Sequence, residues 1–198
     1  MFVTINSGEK QLTHTFSFSS SPTEQNFIEF TKKFTNSEYS TALKAIKVGD
    51  RVKIDAPYGS FTFMGEHEKI LLLAGGVGIT PFRSMCRYST DLQLSSAIVL
   101  LYGCRTEDDI VFGAELKDMQ QQNPKLKVIF VLSEAGSNWR GKVGFITADF
   151  IKEEVLDYKE RLFFACGPPA MVVAIGKAVA ELGLPKTQLK LESFTGHM

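Results

Sequence analysis

The run Lys69-Ile70-Leu71-Leu72-Leu73-Ala74-Gly75-Gly76-Val77-Gly78-Ile79-Thr80-Pro81 constrains this chain more than any other stretch. An unbroken apolar segment fits a strand covered on both faces, and here it runs straight into a glycine-dense turn and a helix opened by proline. Glycines let the backbone turn sharply and approach an anion closely, while the unpaired N–H groups and positive dipole end of the following helix attract it. Pro81 suits the first helical turn, where no N–H donor is needed. The pattern reads as a site for the phosphates of a nucleotide. Gly76-x-Gly78 followed by Pro81 is nevertheless short of the full dinucleotide fingerprint, and turns of this kind also serve packing.

The pattern around this run changes character along the chain. Up to about Met64, short alternating or β-branched runs at residues 2–5, 15–19, 27–33 and 52–55 are separated by turn residues, which predicts an antiparallel sheet or barrel. After Gly65, nearly continuous apolar runs at residues 70–74, 97–102, 128–132, 162–165 and 189–192 alternate with helix-like segments. That alternation predicts a doubly wound parallel sheet with helices on both faces. The boundary falls near Met64 to His67, giving domains at 1–65 and 66–198.

Composition removes several classes of function. Lys+Arg and Asp+Glu each number 22, for a net charge of +0, so nothing favours a nucleic acid or an anionic membrane as main partner. Cys86, Cys104 and Cys166 are odd in number and widely spaced, which argues against a disulfide framework, a metal site or a protein-ligated iron–sulfur cluster. A reducing cytoplasm fits this usage. No secretory signal is read, and no apolar run approaches the roughly 18 residues of a membrane span.

Two further segments accompany the glycine turn. Ala165-Cys166-Gly167-Pro168-Pro169-Ala170-Met171 follows another apolar run and precedes a helical pattern, and His14-Thr15-Phe16-Ser17-Phe18-Ser19-Ser20-Ser21-Pro22 lies far upstream. Together, and in this order, the three segments resemble the ferredoxin–NADP reductase superfamily, in which a flavin-binding β-barrel precedes a nicotinamide-binding α/β domain. The resemblance covers nearly the whole chain. It implies FAD and NAD(P)H as cofactors, and a separate electron acceptor that no motif identifies.

The resemblance also assigns residues. His14, Phe16 and Ser17 match the family's Arg-x-Tyr-Ser, in which the first residue meets the flavin phosphates, the ring packs on the isoalloxazine and the serine lies near its reactive edge. A largely neutral imidazole is a poor substitute for a guanidinium, so weakened flavin affinity is expected. Ser40 and Thr41 resemble a second phosphate-binding segment, and each serves equally as a helix cap. Gly76, Gly78 and Thr80 match the residues that hold the nucleotide's pyrophosphate, and Cys166, Gly167 and Pro168 the segment beside the nicotinamide. Glu192 and Phe194 match the terminal Glu-x-aromatic, with His197 as a second stacking candidate.

Ser17, Cys166 and Glu192 are therefore the candidate catalytic set, Cys166 acting by positioning and not as a nucleophile. A buried structural thiol is the alternative for Cys166 and the expectation for Cys86 and Cys104. Arg105, after the second parallel strand, stands where a 2′-phosphate would lie and inclines the site slightly toward NADPH; Glu107, Asp108 and Asp109 are expected to cap the next helix. Trp139 is either an adenosine contact or a packing residue.

Compared with the family's barrel of about six strands, roughly the first third is absent. A homodimer, a partner subunit or a loosely ordered first domain is then expected, since an open sheet edge invites pairing. Two functions follow. One is an FAD-dependent NAD(P)H oxidoreductase passing electrons onward; the other is a non-catalytic nucleotide-binding or electron-transfer subunit whose barrel a partner completes.

Overall fold

Alternation of apolar and polar residues gives the first sheet a single covered face. In the computed structural model of the chain, which describes residues 1–194, β1 (Phe2–Ser7) pairs antiparallel with β2 (Lys10–Thr15) and, on its other edge, with β3 (Lys53–Asp55). Val3 and Ile5 point inward and are fully buried with Met1. The helix α1 (Glu38–Ala45) closes this face with Tyr39 and Ala42, and the Tyr39 hydroxyl donates to the Val3 carbonyl at 3.1 Å.

Two expected strands differ. Pairing of the run at 15–19 stops at Thr15, and the strand lies one element earlier, in Lys10–Thr15. The run at 27–33 joins no ladder; its Glu29 carbonyl instead accepts from the Ser19 and Ser20 N–H groups. Phe16, Phe18 and Phe30 do pack on the small core, so the alternation reports contact with a core and not strand pairing. Among the described residues this sheet is three-stranded and open, consistent with an incomplete barrel.

The second half follows the predicted alternation closely. β4 (Lys69–Gly75) leads through a 3₁₀ turn (Gly76–Ile79) into α2 (Thr80–Asp91), followed by β5 (Ala97–Cys104), α3 (Gly113–Gln122), β6 (Leu126–Leu132), β7 (Lys142–Val143), α4 (Ala148–Glu154), β8 (Leu162–Gly167), α5 (Pro169–Glu181) and β9 (Leu189–Ser193). All six strands are parallel, in the order β7-β6-β5-β4-β8-β9. Ile70, Leu72 and Ala74 of β4 face α2 and α3, whereas Leu71 and Leu73 face α4 and α5, and all five are fully buried. Burial on both faces explains why the run has no polar alternation. Phe63, which lies before the expected domain boundary, is buried in the core on the α2 side, and Phe61 packs there on Phe82 and Phe164 at 5.8 and 5.5 Å.

Strand order reverses at β4: β5 to β7 extend to one side and β8 and β9 to the other. Such a reversal opens a crevice at the carboxyl ends of the two central strands. Among the described residues, no helix is long and apolar enough to cross a membrane, and no group of His, Cys, Asp and Glu is placed to hold a metal ion.

The opposite, amino-terminal end of the sheet is fastened by Arg161. Its buried guanidinium donates to the carbonyls of Ile70 at 3.0 Å and Ala97 at 2.9 Å, and pairs with both oxygens of Asp157 at 2.7 and 3.0 Å. The Arg161 hydrogen bond, helped by Lys69 against the opposing effect of burial, holds the Asp157 carboxyl below its usual 3.8. Arg161→Ala is expected to cost about 3 kcal/mol in urea unfolding, because it leaves two strand carbonyls without their donor and Asp157 with Lys69 alone. Since Asp157 ionises more readily in the folded chain, its stabilisation is present above the unfolded-state value and is lost as pH falls through the lower folded one. The parent should therefore lose stability below about pH 4, and Arg161→Ala should lose less.

Candidate functional site

A cleft of about 750 Å³ opens at the carboxyl ends of β4, β5 and β8, with Gly76, Arg105, Phe145, Pro168 and Met171 on its walls and Lys32 reaching in from the first half. The glycines of the turn after β4 divide into two roles. Gly76 has φ +50° and no heavy atom within 4 Å of where a Cβ would stand, so it presents bare backbone to open space. Gly78 is buried behind it, and a Cβ there would lie 2.2 Å from the Cys166 carbonyl oxygen. Open backbone and close packing, which the two readings of this motif require, thus belong to different residues of one turn.

Gly78 and Thr80, both expected to contact pyrophosphate, do not line the cleft; they are buried and brace the turn. Gly167 plays the same part on the β8 side, its Cβ position lying 3.2 Å from the Gly75 backbone. Gly76, Arg105 and Pro168 do line the cleft. Cys104 is buried in the main core as expected, and it also backs the cleft wall, with its thiol donating to the Asp109 carbonyl at 3.6 Å. Cys86 is wholly inside the core, where burial pushes its thiol up to about 12.

At the neighbouring corner, β8 and β9 place Cys166 and Glu192 opposite each other in register. The Ser17 hydroxyl, from the first half, donates to Glu192 Oε1 at 3.4 Å, so the three candidate catalytic residues meet. Phe194 follows, with its N–H on the Gly167 carbonyl at 3.1 Å and its ring against the main core. His197 lies outside the described residues. Burial raises the Glu192 carboxyl, partly opposed by the Ser17 hydrogen bond. Burial, with the Glu192 charge adding, raises the Cys166 thiol far above neutrality, so it stays protonated and fits a positioning role, not a nucleophilic one.

His14 and Phe16 form an aromatic group, with rings stacked at 4.8 Å; Phe16 also stacks on Phe30 at 4.4 Å, and Tyr39 lies 5.2 Å from His14. His14 Nδ1 donates to the Thr15 carbonyl at 2.8 Å. The cap of α1 is Ser37, whose hydroxyl accepts from the Ser40 N–H at 3.2 Å, and not Ser40 or Thr41. Ser40 is buried one turn inside, accepting from Thr35 N and Ser37 Oγ, and Thr41 donates back to the Ser37 carbonyl.

Glu107–Asp109 form their own 3₁₀ turn, capped by Thr106 and Asp109, instead of capping α3. Trp139 packs against the core and donates to the Lys142 carbonyl at 3.0 Å, so it is a packing residue. Arg105 is exposed at the rim, 4.0 Å from both Asp109 and Glu134. Sequence reading gave no role to Lys32, Phe145 or Met171; the signals present were the Lys32-Lys33 doublet and the place of Met171 at the end of the Ala165–Met171 segment.

A crevice at the strand-order reversal, walled by a glycine turn, with a carboxylate, a thiol and a hydroxyl from two halves of the chain converging beside it, is the arrangement of a two-part protein whose α/β half has the form of a nucleotide-binding domain. Comparison with known proteins agrees. Residues 72–177, more than half of the chain, match the family model described as Oxidoreductase NAD-binding domain. The chain belongs to this family, within the ferredoxin–NADP reductase superfamily.

Similar relatives include NADH-cytochrome b5 reductase 1 of Meyerozyma guilliermondii, 35% identical over 164 residues and 79% of this chain, and that of Mortierella alpina, 32% identical over 174 residues and 85% of this chain. The chain spans 57% of the length of each. Among solved structures, the ferredoxin reductase in carbazole 1,9a-dioxygenase superposes with TM-score 0.78 at 27% identity, covering 98% of this chain and 59% of that one. The cytochrome b5 reductase domain of Ulva prolifera nitrate reductase gives 0.86 at 21%, covering 96% and 82%, which shows the shared fold.

The two glycine roles separate in a simple measurement. Gly78→Ala is expected to destabilise by about 2–3 kcal/mol, since backbone must move to admit the methyl group. Gly76→Ala should cost about 1 kcal/mol for its left-handed conformation alone. Equal losses in urea unfolding would contradict the division.

Proposed function

We propose that the chain is a flavin-dependent NAD(P)H oxidoreductase that passes electrons to a separate acceptor. The convergence of Ser17, Cys166 and Glu192 beside the cleft carries this reading, because residues up to 175 positions apart meet at one point. The curated relatives are named NADH-cytochrome b5 reductases, which favours NADH as donor and a haem protein of that class as acceptor. The acidic neighbours of Arg105, Asp109 and Glu134, favour the same donor, since they offset its charge toward a 2′-phosphate.

The cleft fits a dinucleotide: bare backbone at Gly76 and the Lys32 and Arg105 cations serve phosphates, and exposed Phe145 offers a ring face to a base. The flavin would sit against the aromatic group of the first half, with its reactive edge toward Ser17 and Glu192. When bound, it supplies hydride acceptance and one-electron release. The protein's part is positioning: Cys166 presents an uncharged, polarisable wall, Ser17 orients the Glu192 carboxylate, and Glu192, with its raised carboxyl, holds a proton nearer to neutral pH than an ordinary glutamate does.

A second reading, in which another polypeptide or a second copy completes the first half, is favoured by exposed apolar residues on and beside its open sheet, Phe2, Val52, Ile54 and Tyr58. One titration separates the two. Under the enzyme reading, purified chain takes up FAD, and NADH bleaches its blue absorption; under the second, the chain alone binds nucleotide but no flavin. Glu192→Gln is expected to slow flavin reduction by about 10²-fold. His14→Arg should tighten flavin binding by about tenfold, through a charge-assisted phosphate contact. An unchanged affinity in His14→Arg would remove His14 from the phosphate site.

A further inference from the structure

Ser17 can meet Glu192 only if the loop that carries it is held against the α/β half. The loop has little apolar anchorage of its own between Ser19 and Glu24, yet Ser19, Ser20 and Ser21 are all buried. Two contacts fasten it to α2: the Thr23 hydroxyl donates to Asp91 at the exposed end, and at the buried end stands Arg83, a cation with a side chain only 6% exposed. Its guanidinium donates to the Ser19 carbonyl at 3.0 Å and grips both carboxylate oxygens of Glu24, one of them at 2.9 Å. Glu24 Oε2 also accepts from the Ser21 N–H at 2.8 Å, so the cation and the loop backbone share one carboxylate. From the other side, Glu115 of α3 accepts from Arg83 Nε at 3.0 Å and Nη2 at 2.7 Å.

The consequences spread along the loop in both directions. Two residues before Ser19 is Ser17, the donor to Glu192. Ser19 Oγ also donates to Glu29 at 2.7 Å and accepts from Thr31 at 3.2 Å, and Ser20 Oγ accepts from the Glu29 N–H at 2.9 Å. Thr31 and its neighbour Lys32 line the nucleotide cleft. Arg83 itself stands in the first turn of the helix that grows out of the glycine turn. One guanidinium is thus connected, through short covalent and hydrogen-bonded paths, to the cleft wall on both halves and to the reactive corner.

We propose that Arg83 is a positioning residue, clamping the Ser17–Glu24 loop through Glu24 so that the donor and acceptor sites of the two halves stay in fixed relation. This rests on the oxidoreductase reading, and it assigns Arg83 a role apart from cofactor contact. The division of labour between its two carboxylates follows. Glu24 joins the halves, whereas Glu115 joins α2 to α3 within one half.

Arg83→Met, Glu24→Gln and Glu115→Gln, each in the full chain, test it by two measurements. Amide exchange of the flavin-free protein is expected to accelerate by about tenfold or more across 17–24 in Arg83→Met and Glu24→Gln, but not in Glu115→Gln. In FAD-reconstituted protein, the limiting rate of flavin reduction by NADH should fall by about tenfold to a hundredfold in the first two, while nucleotide affinity changes far less; Glu115→Gln should stay near the parent. Equal effects of Glu24→Gln and Glu115→Gln in both measurements would place the role inside the α/β half and overturn the assignment. Should Arg83→Met not fold, Glu24→Gln against Glu115→Gln decides alone. A parent that takes up no flavin would sink the oxidoreductase reading, and the exchange comparison would still decide the clamp.

Discussion

The architecture depends on how closely two backbone turns approach each other where β4 and β8 end. The strands are hydrogen-bonded neighbours, but the chain leaves them in opposite directions, toward α2 and α5. The turn after β4 must therefore pass over the end of β8, and at Gly78 it comes so close to the Cys166 carbonyl that only a hydrogen fits. Any larger residue would meet the backbone of Cys166 and Gly167, and one of the two turns would have to move. The glycines that look like phosphate ligands are in large part what allows the crevice to exist.

That geometry also accounts for what was legible in the sequence. The central parallel strands were evident because burial on two faces removes polar alternation, and every one of the apolar runs from 70 to 192 became a strand with its ends moved by at most two residues. The first half was less legible. An extended segment packed on a core, such as 27–33, shows the same alternation as a paired strand, and only the presence of a hydrogen-bonding neighbour distinguishes them. The two-residue strand β7 has no periodicity to detect.

The site was readable in part, and for a different reason. Nothing local to Ser17 or Glu192 marks them as neighbours; their meeting at 3.4 Å was implied only by the family resemblance. Local chemistry also failed to choose the cap of α1, because Ser37, Ser40 and Thr41 are all competent hydroxyls, and the choice falls to where the extended chain turns into helix. Lys32 and Phe145 enter the cleft from segments with no motif, through tertiary placement alone. Arg83 was invisible for the same reason: a charge in the first turn of an amphipathic helix reads as solvent-facing until the loop that covers it is in place.

Glu24 and Glu192 show how one residue type serves two ends. Burial pushes both carboxyls up. At Glu24 the Arg83 hydrogen bond, the Ser21 N–H and the charges of Arg83 and Arg87 outweigh it, and the group is held below the ordinary glutamate value. It is a fixed negative charge suited to fastening. At Glu192 the main compensation is one hydroxyl hydrogen bond, from Ser17, and the net shift is upward. Such a group exchanges its proton at a pH closer to neutrality, which a structural ion pair would not do. The cations are distributed accordingly: Arg83 and Arg161 are spent on the loop and on the amino-terminal end of the sheet, and neither is paired with Glu192. An arginine within hydrogen-bonding reach of Glu192 would lower its carboxyl as Arg83 lowers that of Glu24, and would remove the difference between the two sites.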